Sequence, residues 1–215
     1  MTMARIEPFH EDSTTGFLHV PSDPLNRAVV LTHGAGGNCQ APLLVAIATE
    51  FSAAGFHVLR CDLCFRQRRR FGPPSPAQAA DDRDGLRAAI ASVRSRVAGP
   101  LLLAGHSYGG RQASILASED ASVCDALLLL SYPLHPPHKP SQLRTAHFPS
   151  LTTPCLFVHG TKDPFGTIDE LQTAMELISA PAQLSVVDNA GHDLRRGQFD
   201  ISAAIMNRLP SLGLQ

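Results

Sequence analysis

Apolar residues occur along this chain in short unbroken runs, and longer Ala-rich stretches with helical spacing separate the runs. The runs predict strands at residues 17–20, 28–32, 57–61, 101–104, 126–130, 155–158 and 183–187. The spaced stretches predict helices near residues 42–54, 77–97, 108–117, 168–178 and 198–208. Strands that alternate with helices are typical of a mainly parallel sheet with helices on both faces. The predicted fold class is therefore α/β, with one domain over residues 1–215.

Two segments interrupt this alternation. Residues 65–76 read FRQRRRFGPPSP, and residues 131–154 contain six prolines and no clear helical pattern. Long loops inside a compact domain are often functional. In open α/β sheets, ligands bind outside the carboxyl ends of the strands, where both segments begin. We therefore expect both loops to form walls of a pocket, and we expect the early strand at 17–20 to pair antiparallel at one edge.

The segment LLLAGHSYGGRQA places Ser107 where a buried strand passes into a helix. Residues 105–109 match G-x-S-x-G, and a strand-to-helix turn is the setting that this motif requires in a nucleophile elbow. In such an elbow, strained backbone angles expose the serine Oγ, and the glycines avoid collisions with the neighbouring strand and helix. A tight turn that happens to contain a serine is the alternative interpretation of these five residues.

A nucleophilic serine needs a histidine base and an acid that orients it. Asp163 follows one predicted strand in the segment HGTKDPFG, and His192 follows the last predicted strand in DNAGHDL. The order Ser, Asp, His is the one expected on this type of sheet. Asp188 is a rival acid, but it lies on the same loop as His192, so Asp163 fits better. The sequence thus predicts that Ser107, Asp163 and His192 meet at the carboxyl edge of the sheet.

The segment LTHGAGGN follows the predicted strand at 28–32 and supplies a glycine-rich loop. Such a loop lets backbone N–H groups approach a developing oxyanion closely. We expect the N–H groups of Ala35 and Tyr108 to form the oxyanion hole, with Gly36 as the alternative to Ala35 by one register. A phosphate-binding loop is disfavoured because the segment lacks G-x-G-x-x-G spacing and a Lys-Ser/Thr ending.

Charge and cysteine content narrow the partners and the compartment. The net charge of −1 gives no reason to expect nucleic acid or a membrane surface as a partner. The N-terminal residues lack the pattern of a signal peptide. Five scattered cysteines suit reduced thiols, so a cytoplasmic location is expected. Neither the CxxC at 61–64 nor the histidines of the 131–154 loop completes a zinc-site pattern, so no metal or organic cofactor is expected.

Taken together, LTHGAGG, RRR followed by PP, AGHSYGGR, HGTKDPFG and GHDL resemble motifs of the α/β-hydrolase superfamily. More closely, they resemble the branch that contains testis-expressed-type proteins and the NSL-complex regulatory subunit. The resemblance covers residues 28–194. It implies a three-layer α/β-hydrolase sandwich without a substantial cap domain, and a triad of Ser107, His192 and Asp163. It says little about the substrate, because this branch is poorly defined functionally.

The expected function is a serine hydrolase that cleaves a small acyl ester through an acyl-enzyme. Gly36, Arg66 and Tyr132 are the candidate substrate-binding residues. The arginine run, Arg66 with 68–70, is most simply a solvated face, and the alternative is that it binds an anionic substrate. A thioesterase, an acyltransferase and a non-catalytic scaffold are the competing functions, and the oligomeric state stays open.

Overall fold

The computed structural model describes residues 4–195, 197 and 199–214, and these residues form a sheet of eight strands. The strands are β1 (Arg5–Glu11), β2 (Thr14–Val20), β3 (Ala28–Thr32), β4 (His57–Cys61), β5 (Leu101–His106), β6 (Ala126–Leu130), β7 (Cys155–Gly160) and β8 (Ala182–Val187). Their order in the sheet is β1-β2-β4-β3-β5-β6-β7-β8. Strands β3 to β8 are mutually parallel, whereas β2 pairs antiparallel with both β1 and β4. The predicted α/β fold class is confirmed.

Helices cover both faces of the sheet. They are α1 (Pro42–Ala53), α2 (Cys64–Arg68), α3 (Ala79–Arg94), α4 (Tyr108–Glu119), α5 (Ile168–Met175) and α6 (Ile201–Ala204). Apolar side chains of α3, α4 and α5 pack against one face of the sheet, and those of α1 and α6 pack against the other. Alternate residues of β5 enter the two cores, with Leu103 on the α4 side and Leu102 on the α1 side. The continuous apolar strands predicted from the sequence are therefore explained by burial on both faces.

The outermost strand, β1, was missing from the sequence prediction. Its pattern has little apolar signal, because Phe9 is its one buried residue and most of the others are exposed. Asp12, at a positive φ of 47°, connects β1 to β2 in a tight hairpin. As a consequence β2 is not the edge strand that we expected, although its antiparallel pairing is as predicted.

Two helical segments differ from the prediction. The five-residue helix α2 begins at Cys64 and extends into the segment 65–76 that was predicted to be a loop, and it is too short to produce a periodic pattern. The predicted helix at 198–208 begins at Gln198, which lies outside the described residues. Within the described part, α6 is a single turn, and a 3₁₀ helix (Met206–Leu212) that contains Pro210 follows it. Proline supplies no backbone N–H, which disfavours a continuous α-helix there.

The parallel strands bring their following loops to one edge of the sheet. The loops after β3, β5, β7 and β8 meet at this carboxyl edge, and no inserted helical layer covers it within residues 4–195, 197 and 199–214. In that same part of the chain, no helix combines the length and the apolar character needed to cross a membrane. The candidate site therefore lies on these loops, at the uncovered carboxyl edge of the sheet.

Candidate active site

Ser107 occupies a strained turn between β5 and α4. Its backbone angles are φ 52° and ψ −117°, a combination that costs energy for a residue with a side chain. A Cβ at Gly105 would lie 2.4 Å from the backbone nitrogen of Gly110, and a Cβ at Gly109 would lie 2.5 Å from the carbonyl oxygen of His33. Both glycines of the G-x-S-x-G motif are therefore required by close backbone approach. Ser107 thus lies in a tight turn between β5 and α4.

The imidazole of His192 lies between the serine and an aspartate. Its Nε2 is 2.7 Å from Ser107 Oγ, and its Nδ1 is 2.8 Å from Asp163 Oδ2. With Nδ1–H donating to the carboxylate, the unprotonated Nε2 faces the serine hydroxyl and can accept its proton. His192 is thus within hydrogen-bond distance of both Ser107 and Asp163, the two residues that were predicted to meet it at this edge.

Asp163 and Phe165 hold the imidazole of His192 from two sides. The Asp163 carboxylate is completely buried, and its Oδ1 also accepts the backbone N–H of Phe165 at 2.9 Å. The Phe165 ring lies over the His192 ring at a centroid distance of 4.1 Å and an interplanar angle of 32°. The rival acid Asp188 is exposed, as is Asp193 beside the histidine. Asp163 is therefore the carboxylate placed to orient His192.

His106 supports the loop that carries His192. Its Nε2 lies 2.8 Å from the carbonyl oxygen of His192, so Nε2–H donates to that oxygen. Burial, and secondarily the neighbouring His192, lowers the pKa of His106 to about 4, although the backbone hydrogen bond opposes this shift. His106 is therefore neutral near pH 7. The histidine ring that contacts Ser107 Oγ is that of His192.

The peptide between Gly34 and Ala35 is held in one orientation by His33. The buried His33 ring donates from Nδ1 to Gly34 O at 2.8 Å and accepts the Leu63 N–H on Nε2 at 3.1 Å. Burial lowers the pKa of His33, which favours this neutral form. In a trans peptide the N–H points opposite to the C=O. The Ala35 N–H is thereby directed away from His33, on a loop that lines the cavity around Ser107.

The backbone N–H of Tyr108 lies directly after Ser107, at the start of α4. Tyr108 is the first residue of α4, and N–H groups in a first helical turn have no partner within the helix. Its side chain is also fixed, because the hydroxyl donates to Asp82 Oδ2 at 2.8 Å. Asp82 is fully buried on α3 and also accepts the Phe65 N–H at 2.9 Å. This hydrogen bond, which anchors Tyr108 of α4 to Asp82 of α3, joins segments that are distant in the chain. No pattern in the sequence indicated it.

Arg66 is hydrogen-bonded to the glycine-rich loop. Its guanidinium donates to the carbonyl oxygens of Ala35 and Gly37, both at 2.8 Å, and of Arg70 at 2.7 Å. Only 8% of the residue is exposed. The N–H groups of Arg66 that could bind a substrate are therefore already hydrogen-bonded to backbone carbonyl oxygens. The expectation that Arg66 binds substrate is therefore corrected: its contacts join two loops.

Tyr132 does not reach the site surface. It is completely buried, its ring packs against Phe148 and Phe157, and its hydroxyl donates to Arg144 O at 2.7 Å. The proposed substrate contact of Tyr132 is therefore wrong, because its ring belongs to the core. Gly36, in contrast, lines a cavity together with Ser107 and His192.

Two cavities meet at Ser107. The first has a volume of about 440 Å³ and is lined by residues 73–76 and by Pro133 and Arg144, which belong to the two loops predicted as pocket walls. The second has a volume of about 420 Å³ and extends past Gly36 and His192. Ala35, Ser107 and Phe165 contribute to both cavities. Among the described residues, no group of three or more His, Cys, Asp or Glu side chains is arranged to hold a metal ion.

The comparison with known proteins agrees with this architecture. The family model described as "Alpha/beta hydrolase domain" matches residues 25–202. A dienelactone hydrolase from Anabaena variabilis is 18% identical and superposes with a TM-score of 0.73 over 99% of this chain and 97% of its own. A serine hydrolase without a lid from Xanthomonas campestris, XC6422, is 18% identical with a TM-score of 0.75 over 98% and 95% of the two chains.

A third structure is similar over the full length of both chains. Est1E from Butyrivibrio proteoclasticus is 14% identical, with a TM-score of 0.75 over 100% of both chains. At such identities these likenesses concern the fold, and the match to the family model covers most of the sequence. The chain belongs to the alpha/beta hydrolase domain family.

Proposed function

We propose that the protein is a serine hydrolase that cleaves small carboxylic esters. The observation that carries this proposal is the contact of His192 Nε2 with Ser107 Oγ at 2.7 Å while Nδ1 contacts the buried carboxylate of Asp163 at 2.8 Å. A serine hydroxyl is a weak nucleophile unless a base accepts its proton. The chain holds such a base in the required orientation.

In the proposed reaction, Ser107 Oγ attacks the acyl carbon as its proton passes to His192 Nε2. The tetrahedral oxyanion is stabilised by the N–H groups of Ala35 and Tyr108, and Asp163 stabilises the imidazolium. Collapse breaks the ester bond, and the leaving alkoxide takes the proton from His192. Water then attacks the acyl-enzyme, gives a proton to His192, and releases the acid as Ser107 regains its proton.

Access to the serine supports a small and unhindered ester as the substrate. Ser107 lies at the junction of two open cavities of about 440 and 420 Å³, which suit one group on each side of the scissile bond. The structural relatives include proteins named as a dienelactone hydrolase and as a serine hydrolase without a lid. Thioesters, lactones and small amides use the same machinery, and transfer to an acceptor other than water would replace the final step.

Two further points belong to this proposal. We place the protein in the cytoplasm, where its five free cysteines would stay reduced. The finer resemblance to testis-expressed-type proteins and the NSL-complex regulatory subunit rests on the sequence motifs and stays a prediction, as does a single domain over residues 1–215.

A panel of p-nitrophenyl esters with acyl chains of increasing length tests the proposal. We expect turnover by the wild-type protein, with kcat/KM falling as the chain lengthens, and loss of turnover in Ser107→Ala. Ser150→Ala, at an exposed serine, is the matched control and should retain full activity. Equal hydrolysis by wild type and Ser107→Ala would refute the assignment. Product analysis with added alcohol or thiol acceptors separates hydrolysis from acyl transfer.

A further inference from the structure

The larger cavity beside Ser107 has an unusual charge composition. Three arginines line it, Arg83, Arg111 and Arg144, and its lining contains no aspartate or glutamate. Proline and other apolar side chains form much of the remaining wall. A cationic surface with low-dielectric walls strengthens the attraction for an anion that enters.

Arg83 is paired with an acidic residue of the protein. Its Nε lies 3.1 Å from Glu119 Oε1, and its Nη1 donates to Gln112 Oε1 at 3.0 Å and to Ala79 O at 3.2 Å. Glu119 is shared with Arg87, whose Nη2 lies 3.0 Å from Oε2. The charge of Arg83 is therefore balanced within the protein by Glu119.

Arg111 has no such partner. Its guanidinium forms no hydrogen bond and meets no carboxylate within the part of the chain that the structure describes, and its Nε is buried without a partner. Leaving a desolvated polar group unpaired is unfavourable unless a ligand supplies the missing acceptor. Arg111 lies one helical turn after the serine, with its backbone N–H bonded to Ser107 O at 3.0 Å. The unpaired charge is thus on the helix that positions the nucleophile.

Arg144 lines the same cavity from the proline-rich loop. Among the described residues its side chain forms one hydrogen bond, a long one from Nη1 to Pro133 O at 3.3 Å. Its backbone carbonyl is anchored by the buried Tyr132 hydroxyl at 2.7 Å, so the loop is fixed there. Burial, and secondarily the nearby charge of Arg111, lowers the pKa of Arg144. The two guanidinium groups therefore share one environment without an acid between them.

We propose that Arg111 and Arg144 bind an anionic group of the substrate, so that the preferred ester carries a carboxylate on its acyl part. This inference rests on the proposed hydrolase function and names its substrate class. Guanidinium groups match carboxylate geometry with paired N–H donors, and such charge-assisted hydrogen bonds are the strong ones. The arginine run has a different role, because Arg66 binds backbone carbonyls and Arg68 is paired with Asp81.

Two esters of similar length and leaving group test the proposal: p-nitrophenyl butyrate, which is neutral, and mono-p-nitrophenyl succinate, which ends in a carboxylate. The measured quantity is the ratio of kcat/KM for the succinate ester to that for the butyrate ester. We expect this ratio to exceed one in the wild type and to fall about 10- to 100-fold in Arg111→Met, as loss of a charge-assisted hydrogen bond implies. Arg144→Met should lower it in the same direction, and Arg111→Lys should retain part of the preference.

Arg68→Met is the matched control, since it removes an arginine whose charge is paired with Asp81 at the surface. It should leave the ratio unchanged. A wild-type ratio at or below one, or a ratio that neither Arg111→Met nor Arg144→Met changes, overturns the inference. Labelling of each variant by a fluorophosphonate shows whether the site around Ser107 has assembled, so a misfolded variant is recognised.

Binding of succinate itself separates this inference from the hydrolase proposal. We expect succinate to raise the melting temperature of the wild type and of Ser107→Ala, and to have a much smaller effect on Arg111→Met. If both esters are hydrolysed equally well and succinate does not raise the melting temperature, the anion site is contradicted but the hydrolase proposal is not. Absence of any turnover together with the succinate shift contradicts the hydrolase proposal and supports an anion-binding site.

Discussion

His192 Nε2 lies 2.7 Å from Ser107 Oγ although the two residues are 85 positions apart in the chain. The sheet explains this approach, because Ser107 follows β5 and His192 follows β8, and both strands end at the same edge. The Phe165 ring and the Asp163 carboxylate then fix the imidazole in place. The following expectations depend on this arrangement.

Asp163→Asn should lower kcat on p-nitrophenyl acetate by about 1,000-fold or more, the scale seen when the residue that orients a catalytic histidine loses its charge. The amide no longer favours Nδ1–H, so Nε2 is protonated and cannot accept the serine proton. Asp188→Asn, at the exposed rival acid, is the control and should change kcat little. The reverse pattern in the two variants would assign the acid to Asp188.

Gly109→Ala should destabilise the protein by about 3 kcal/mol, because the added methyl group overpacks a rigid site. That Cβ would lie 2.5 Å from the carbonyl oxygen of His33, a backbone atom that cannot move independently. Gly36→Ala is the matched substitution, since nothing lies within 4 Å of its added Cβ. Urea unfolding should separate the two variants clearly, and equal stabilities would contradict the close packing of the elbow.

Arg66→Met should lower kcat/KM for the neutral and the carboxylated ester by a similar factor, about 10-fold, a fraction of what the loss of an oxyanion donor costs. The reason is that Arg66 holds the carbonyls of Ala35 and Gly37 and thereby the loop that donates the Ala35 N–H. Kinetics on both esters give the result. A selective loss on the carboxylated ester would instead show that Arg66 contacts the substrate.

Stability should fall as the pH is lowered from about 6.5 to about 4. Burial lowers the pKa of His19, His106 and His147 to about 4, from a usual value of 6.5. In this window the unfolded chain binds protons that the folded chain does not, so each histidine gives stability a slope of up to about 1.4 kcal/mol per pH unit. The stability due to neutral histidines is present above pH 6.5 and lost below it.

His19→Gln tests this pH dependence, because glutamine keeps an acceptor for the Arg60 Nε–H, which contacts His19 at 2.9 Å, but does not titrate. The free energy of unfolding, measured in urea at pH 7 and pH 5, should fall less in this variant than in the wild type. An equal fall in both proteins would show that His19 does not contribute to the acid sensitivity.

The sequence predicts those parts of the site that depend on the order of strands and loops. Ser107 and Asp163 follow the buried strands β5 and β7, and His192 follows the partly buried β8. Because these strands are parallel, strand topology was enough to bring the three residues together. Tyr132 and Arg66 were misjudged because their roles depend on packing: one ring is buried in the core and one guanidinium binds backbone carbonyls. Neither contact leaves a periodic pattern.

The unpaired charge of Arg111 also depends on packing that the sequence does not show. Its position one turn after Ser107 was visible in AGHSYGGR, but the sequence does not show whether an acid neutralises it. The anchor between Tyr108 and Asp82 joins residues 26 positions apart on two helices, and only the folded arrangement reveals it. The strand β1 was missed because it is mostly exposed, so its residues carry a weak apolar signal.

The most direct test of the account is the mass of the intact protein after reaction with a fluorophosphonate. A serine activated by His192 displaces fluoride and forms a covalent phosphonyl ester, whereas an inactive scaffold does not react. We predict one adduct per wild-type chain, mapped to Ser107 by peptide analysis, and none in Ser107→Ala. Folded wild-type protein that stays unlabelled, or an adduct that persists in Ser107→Ala, would contradict the assignment of Ser107 as the nucleophile.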